Sequence, residues 1–395
     1  MVKVYHLRGS KNITEIVIWV GVLIWTAFIP ILSDGIAIKV VGVISIVMYY
    51  SVVLLKKEDL RIRFTRNGIA FYLSLSTLMI LSSLFSKDIL NSLAILMLFQ
   101  LWFYSCWIAG ISGIHQRMFK ILTTYSLIGL LVITLIIVVN NVELSTKLGY
   151  IRSPNSLALI LLSFLPGIVL LKKTWSLPLS FYLFTLLVLV GSRNGMLSFS
   201  IFFFVVLFIG GGKARLRSKF SIVFFCLIAI ITYWEDIAFI LQLNNSYRGL
   251  NSGFTGRSVA WLYSLQTILN NPMFGVGLGN AYLEFSNSNV TGTILDGGYA
   301  YMLTSTHNGY LALFLELGVI SALLLLTKII SGMCKFIKIY SSGHGIIFVG
   351  FLASYLFFGV FEEVFINLGN PMSLIFMTFA IVGLSYERPI SDGAK

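Results

Sequence analysis

The stretch IVIWVGVLIWTAFIPIL (16–32) is apolar on every face. A membrane barrel strand would instead alternate apolar and polar residues over roughly ten positions, so this segment reads as a helix. At about 1.5 Å per residue it covers most of the roughly 30 Å of hydrocarbon in a bilayer, and a helix is the form in which each backbone group finds its partner internally. Similar runs recur along the whole chain of 395 residues, which is 57% hydrophobic and 11% charged, with a mean hydropathy of +0.92. Soluble domains carry about 25% charged residues. The composition therefore implies an all-α integral membrane protein.

About twelve transmembrane helices are expected, near 13–33, 35–55, 67–85, 89–110, 119–139, 154–171, 175–191, 195–211, 220–234, 308–330, 345–361 and 371–386. Basic residues orient them. With a cytoplasmic N-terminus, only Lys39, Lys87, Lys147, Arg152, Arg193, Arg248 and Arg257 of the 28 Lys and Arg fall outside, while KKEDLRIRFTR (56–66) and KARLRSK (213–219) fall inside. That bias over short loops places both termini in the cytoplasm. It also accounts for the net charge of +13 without nucleic acid as a partner. The first span follows Lys3, Arg8 and Lys11 but lacks a small-residue cleavage site before Ser33, so it reads as a retained span. Cys106, Cys226 and Cys334 show no paired spacing and read as packing residues.

One bundle, 1–395, is expected, interrupted by a large extracytoplasmic loop over 235–307 that is far longer than a connector needs. Within it, RSVAWLYSLQTILNN (257–271) places Val259, Leu262, Leu265, Ile268 and Leu269 at helical spacing, an amphipathic helix expected to lie on the membrane. Arg257 and Trp261 suit the headgroup level, so Arg257 reads either as an interfacial anchor or as an anion ligand. NPMFGVGLGNAY (271–282) carries alternate glycines without the spacing of a dinucleotide fingerprint and reads as a tight re-entrant turn passing close to a helix or a ligand. Residues 284–306, rich in Ser, Asn, Thr and Gly, suit a flap.

Three residues stand out for chemistry. Arg193 lies in GSRNG (191–195), an outer turn where a guanidinium meets either lipid headgroups or a bound anion. His307 and Asn308 open the tenth span, and a ring there faces both water and a cavity. Two arginines and a neutral imidazole on one side of a membrane could hold a diphosphate leaving group and take a proton from an attacking hydroxyl. Glu316, nine residues on, falls on roughly the opposite helix face and is expected to pair with a neighbouring helix. No metal-binding acid cluster and no cofactor motif is visible, which suits a mechanism without metal.

At RSPNSLALILLSFLPG (152–167), SRNG, GRSVAWLYSLQTILNNPMFGVGLGN (256–280) and THNGYLALFLELGVIS (306–321), the chain resembles the O-antigen ligase and polymerase family of bacterial envelope proteins. The first 140 and the last 60 residues add only hydrophobicity to the likeness. The resemblance implies a glycosyltransferase-C-like fold in the bacterial cytoplasmic (inner) membrane. It also implies inverting, metal-independent transfer of a glycan from undecaprenyl diphosphate to an acceptor hydroxyl on the outer face. Arg193 and Arg257 would hold the diphosphate, and His307 would activate or position the acceptor. Asn308, Asn155 and Glu316 fall on motif positions without a secure chemical role, and Asn308, Asn155 and Trp261 join the arginines as substrate-binding candidates. The implied partners are the lipid-linked glycan, membrane lipid, a flippase and a chain-length regulator.

The His-Asn-Gly-Tyr motif and the modest flap favour a polymerase of O-antigen or capsule repeat units. The alternatives are a ligase transferring the glycan to lipid A core, and a twelve-span transporter or flippase, which would need charged residues along a central path.

Overall fold

The computed structural model describes residues 66–111, 118–140, 154–208, 257–288, 291–293, 300–302, 305–339, 345–365 and 370–385, together with parts of 16–28. Most of the expected spans at 13–33 and 35–55, and the span at 220–234, lie outside the described residues, as do the first twenty-two residues of the expected loop. Twelve helices are named from the remainder: α1 (Arg66–Leu84), α2 (Ile89–Ile111), α3 (Met118–Asn140), α4 (Pro154–Ser163), α5 (Leu165–Val169), α6 (Lys173–Val190), α7 (Arg193–Phe208), α8 (Arg257–Asn270), α9 (Ala281–Ser288), α10 (Gly309–Ile339), α11 (Gly345–Phe358) and α12 (Pro371–Ser385). The flap read as irregular is in part ordered: α9 covers its start, and β1 (Thr291–Thr293) pairs antiparallel with β2 (Ala300–Met302).

The described structure is thus a helical bundle of the kind expected of an all-α membrane protein. Two stretches, Met118–Ile137 and Gly309–Lys338, are long and apolar enough to cross a bilayer, and seven further apolar helices are shorter. Large apolar side chains cover the outside, among them Leu73, Leu90, Met97, Leu131, Leu177 and Phe181. Such a surface is disfavoured in water and suited to lipid. Phenylalanine fills much of the interior: Phe336 stacks on Phe379 with ring centres 4.6 Å apart, and Phe348 meets both edge-on.

The caps explain where several helices begin and end. Asp88 accepts the Asn91 amide at the start of α2 (3.0 Å), Ser192 the Gly195 amide at α7 (3.1 Å), and Asn370 the Met372 amide at α12 (2.8 Å). Each side chain satisfies a donor that the first helical turn leaves unpaired. Gly191, at φ +70°, closes α6 in the left-handed conformation that a side chain resists.

Two expected spans are broken. Residues 154–171 divide into α4 and α5 at Phe164, next to Pro166. The more consequential break is in α10, where Gly318 sits at φ +74°, ψ +169° and interrupts the helical path. Carbonyls released there are taken by the glycine turn: Val276 donates to Leu315 O (2.8 Å), Gly277 to Glu316 O (3.1 Å), and Val319 in return to Pro272 O (2.8 Å). The turn therefore pairs with a broken helix through backbone alone. Gly275 (φ +67°) and Gly277 (φ +97°) permit this, because a Cβ on Gly275 would stand 2.6 Å from Gly318 N.

Below α8 a small second core joins Ala260, Ile268, Val276, Ala281, Phe285 and Leu315. Ile268, expected on the membrane face, instead points into this core, because it follows Ala260, Ser264 and Thr267 along the buried side. Val259, Leu262, Leu265 and Leu269 remain exposed on the other side.

Candidate functional site

Arg193 is the first residue of α7 and Arg257 the first residue of α8. A helix N-terminus carries partial positive charge, so a cation there is disfavoured unless an anion offsets it. For Arg257 that anion is Glu362, whose Oε1 accepts from Nη2 at 3.1 Å. Both side chains stay partly open to solvent, at 21% and 17%, so an arriving anion has access. The Phe361 ring lies 6.0 Å from the Arg257 guanidinium, within cation–π range.

Glu362 also ties α8 to the Arg193 turn. Asn155 donates through Nδ2 to the same Glu362 Oε1, and its Oδ1 accepts from Ser192 Oγ at 2.8 Å. The neighbouring Asn194 donates to Phe358 O at 3.3 Å. Two arginine-bearing helix starts are therefore joined by one hydrogen-bonded chain, Ser192–Asn155–Glu362–Arg257. Arg193 itself is exposed at the head of that chain. Asn155 lies between protein groups at both ends of its amide, a bridge within the site's frame.

The turn before α10 is held from the same loop. Glu363 Oε1 accepts from the Thr306 amide (2.9 Å) and the Thr306 hydroxyl (2.7 Å), and the His307 amide and the Ser305 hydroxyl also donate to this carboxylate. Asn308 caps α10, its Oδ1 accepting from Tyr310 and Leu311 at 3.0 Å each. Held on both sides, His307 takes φ +47°, the one described non-glycine residue at positive φ. Such a conformation is uncommon and concentrates where surroundings over-determine it.

Burial, with the positive charge of Arg257 acting in the same direction, lowers the His307 pKa to about 4. The two residues, far apart in sequence, thus meet in one electrostatic environment, and the ring is neutral at pH 7 with a lone pair to offer. Burial pushes Glu362 up to about 7, outweighing Arg257 and Asn155, which pull it down, while Glu363 beside it adds to the rise. Burial also raises Glu363, against the four donors around it.

Trp261 packs one turn into α8, with its ring centre 6.4 Å from that of Phe361, so it meets the 361–363 loop as well as the small core. Glu316, expected to pair with a neighbouring helix, accepts from backbone amides of the glycine turn and of the start of α9. Ala281 N approaches Oε1 at 3.4 Å, and the Gly279 amide also donates to the carboxylate. The loop is pinned further by Lys87 to Glu284 (2.8 Å), Asn91 to Asn280 (2.9 Å) and the stacked pair Phe85–Phe274. Among the described residues no group of three or more His, Cys, Asp or Glu could hold a metal ion.

Glu362 and Glu363 were missed from the sequence. The available signal was FEEVF (361–365), two adjacent acids between apolar spans in a chain with only 15 acidic residues.

No curated protein and no solved structure matches the chain. A family model does match: that described as O-antigen ligase, over residues 178–326. The matched segment begins within α6, includes the Arg193 turn, α8, the glycine turn and His307, and ends within α10 beyond the Gly318 break. Over residues 178–326 the chain is therefore similar to the O-antigen ligase family.

Proposed function

We propose that the chain is a membrane glycosyltransferase that polymerises undecaprenyl-diphosphate-linked repeat units of O-antigen or capsule, with inversion and without metal. The observation that carries this reading is the link of Arg257 through Glu362 and Asn155 to the Arg193 turn, with Arg257 near enough for its charge to act on His307. The charge asymmetry of the loops supports an orientation with this rim outside the cytoplasmic membrane and both termini inside. The expected twelve spans belong to the same reading.

The acceptor hydroxyl oxygen attacks the anomeric carbon from the side opposite the diphosphate. The C–O bond to phosphate breaks, and its electron pair leaves on the diphosphate. Arg193 and Arg257 meet that growing charge, where prearranged donors act most strongly. His307 takes the hydroxyl proton. In the free protein the charge of Arg257 disfavours imidazolium; a bound diphosphate offsets that charge, so the ring gains basicity when substrate is in place. Polyprenyl diphosphate departs, with its flippase and chain-length regulator as the expected partners.

Transfer to lipid A core is the second reading, favoured by the description of the matching family as ligases. Deleting the gene and separating surface polysaccharide on gels distinguishes the two. Loss of a polymerase leaves one repeat unit on lipid A core, loss of a ligase leaves a full ladder on the lipid carrier, and loss of a transporter leaves neither outside. Arg193→Ala, Arg257→Ala and His307→Ala should each reproduce the deletion while the protein stays in the membrane. Wild-type chain lengths in all three would sink the proposal.

A further inference from the structure

We infer that the adjacent glutamates 362 and 363 are positioning residues with divided tasks: Glu362 aligns the anion-holding Arg257, and Glu363 sets the backbone turn that presents His307. This rests on the reading of the site as a diphosphate-dependent glycosyltransferase.

The division follows from geometry. Successive residues of an irregular loop direct their side chains apart, so one dipeptide reaches two elements. Glu362 turns to α8 and α4, holding Arg257 at 3.1 Å and receiving Asn155. Glu363 turns to the segment before α10 and accepts from Thr306 twice, at 2.9 and 2.7 Å, besides the His307 amide and the Ser305 hydroxyl. The loop is itself fixed: Glu362 N donates to Phe358 O (3.1 Å), Gly309 N to Gly359 O (2.7 Å), and Tyr355 and Ser373 to Val364 O (2.8 and 2.6 Å). Phe365 packs against Tyr310 and Tyr355. A rigid loop bearing two carboxylates can thus fix both the anion holder and the candidate base without touching substrate.

The partners differ in kind, and so should the effects. A guanidinium has five donors, and one spent on Glu362 leaves others for phosphate in a fixed orientation. Neutralising Glu362 loosens a preorganised ligand and weakens diphosphate binding. Glu363 accepts from neutral donors of the 305–307 turn. A glutamine there turns an amide N–H₂ toward some of them, so the turn relaxes and His307 moves, which costs the chemical step more than binding.

The test uses the full-length protein in nanodiscs. Binding is measured with geranylgeranyl diphosphate, and transfer with lipid-linked glycan extracted from the deletion strain. Glu362→Gln should bind the diphosphate about 5- to 10-fold more weakly, with transfer at saturating donor within about 3-fold of wild type. Glu363→Gln should bind within about 2-fold and lose about 20-fold or more in transfer at saturation. Equal losses in both measurements for both variants, or wild-type values throughout, overturn the assignment. Tighter binding by Glu362→Gln also overturns it, because Glu362 would then be a competitor for the anion seat. Should either glutamine variant fail to fold, Asn155→Ala and Thr306→Val disturb the same two contacts and must show the same split. Arg257→Ala and His307→Ala serve as references: if the first binds and the second transfers like wild type, the glycosyltransferase reading fails, whatever the glutamates do.

Discussion

Replacing Gly275 by alanine should lift the glycine turn from the break in α10. Gly275 lies at φ +67°, a conformation that costs an L-residue about 1–2 kcal/mol. Its new methyl carbon would stand 2.6 Å from Gly318 N and 2.7 Å from the Glu316 carbonyl carbon. These are backbone atoms, which no rotamer change can move aside, and overpacking of this kind costs about 1–3 kcal/mol. If the turn lifts instead, it gives up the bonds Val276–Leu315, Gly277–Glu316 and Val319–Pro272, each worth about 1 kcal/mol net. Either route costs about 2–4 kcal/mol, and the ratio of docked to undocked turn falls by about 30- to 1,000-fold. Limited proteolysis in nanodiscs reads that ratio through cleavage within 271–288, alongside glycan transfer by the same preparation. Cleavage should accelerate and transfer should fall, because α8, which carries Arg257, is continuous with the turn. Gly21→Ala is the control, since a Cβ there meets nothing within 4 Å. Wild-type cleavage and transfer in Gly275→Ala would refute the claim that the turn is seated by close backbone contact.

Two further outcomes follow from the turn before α10. The unfolded His307 ring takes its proton near 6.5 and the folded ring near about 4, so between those values the unfolded chain binds more protons. Native stability should therefore fall as pH drops through that window. Histidine-ring NMR should find one midpoint near 4, rising in Arg257→Gln as the second cause is removed; a wild-type midpoint at 6.5 for His307 would refute the placement. Asn308→Ala removes the acceptor for two amides of α10 and should cost about 1 kcal/mol, seen as a lower thermal midpoint, whereas Asn308→Asp should keep the cap.

Legibility in the sequence followed the range of the signal. Apolar runs marked the helices: the expected 89–110, 119–139 and 371–386 are observed as Ile89–Ile111, Met118–Asn140 and Pro371–Ser385. The amphipathic period of 257–271 gave α8, and the alternate glycines gave a turn against a helix. The break at Gly318 was hidden, because ELGVIS reads as one more piece of an apolar span and a lone glycine is tolerated within helices. Only its partner, more than forty residues earlier, shows why the helix opens there. Glu362 and Glu363 were hidden for another reason. Orientation by charge counts Lys and Arg, and two acids in a short loop carry no motif, so their importance lies wholly in long-range contacts with Arg257 and Thr306.

The exposed apolar side of α8 gives the site a depth gauge. Val259, Leu262, Leu265 and Leu269 are exposed, and in the proposed orientation they would tie the level of this helix to the boundary between hydrocarbon and water. Arg257 is its first residue. Under the proposed function, a lipid carrier would have its diphosphate at that same boundary whatever sugars it bears, so the guanidinium and the phosphates would be brought to one level before either touched the other. Glycans of very different length would then be presented at their reducing end in the same way, with the membrane surface itself as the ruler.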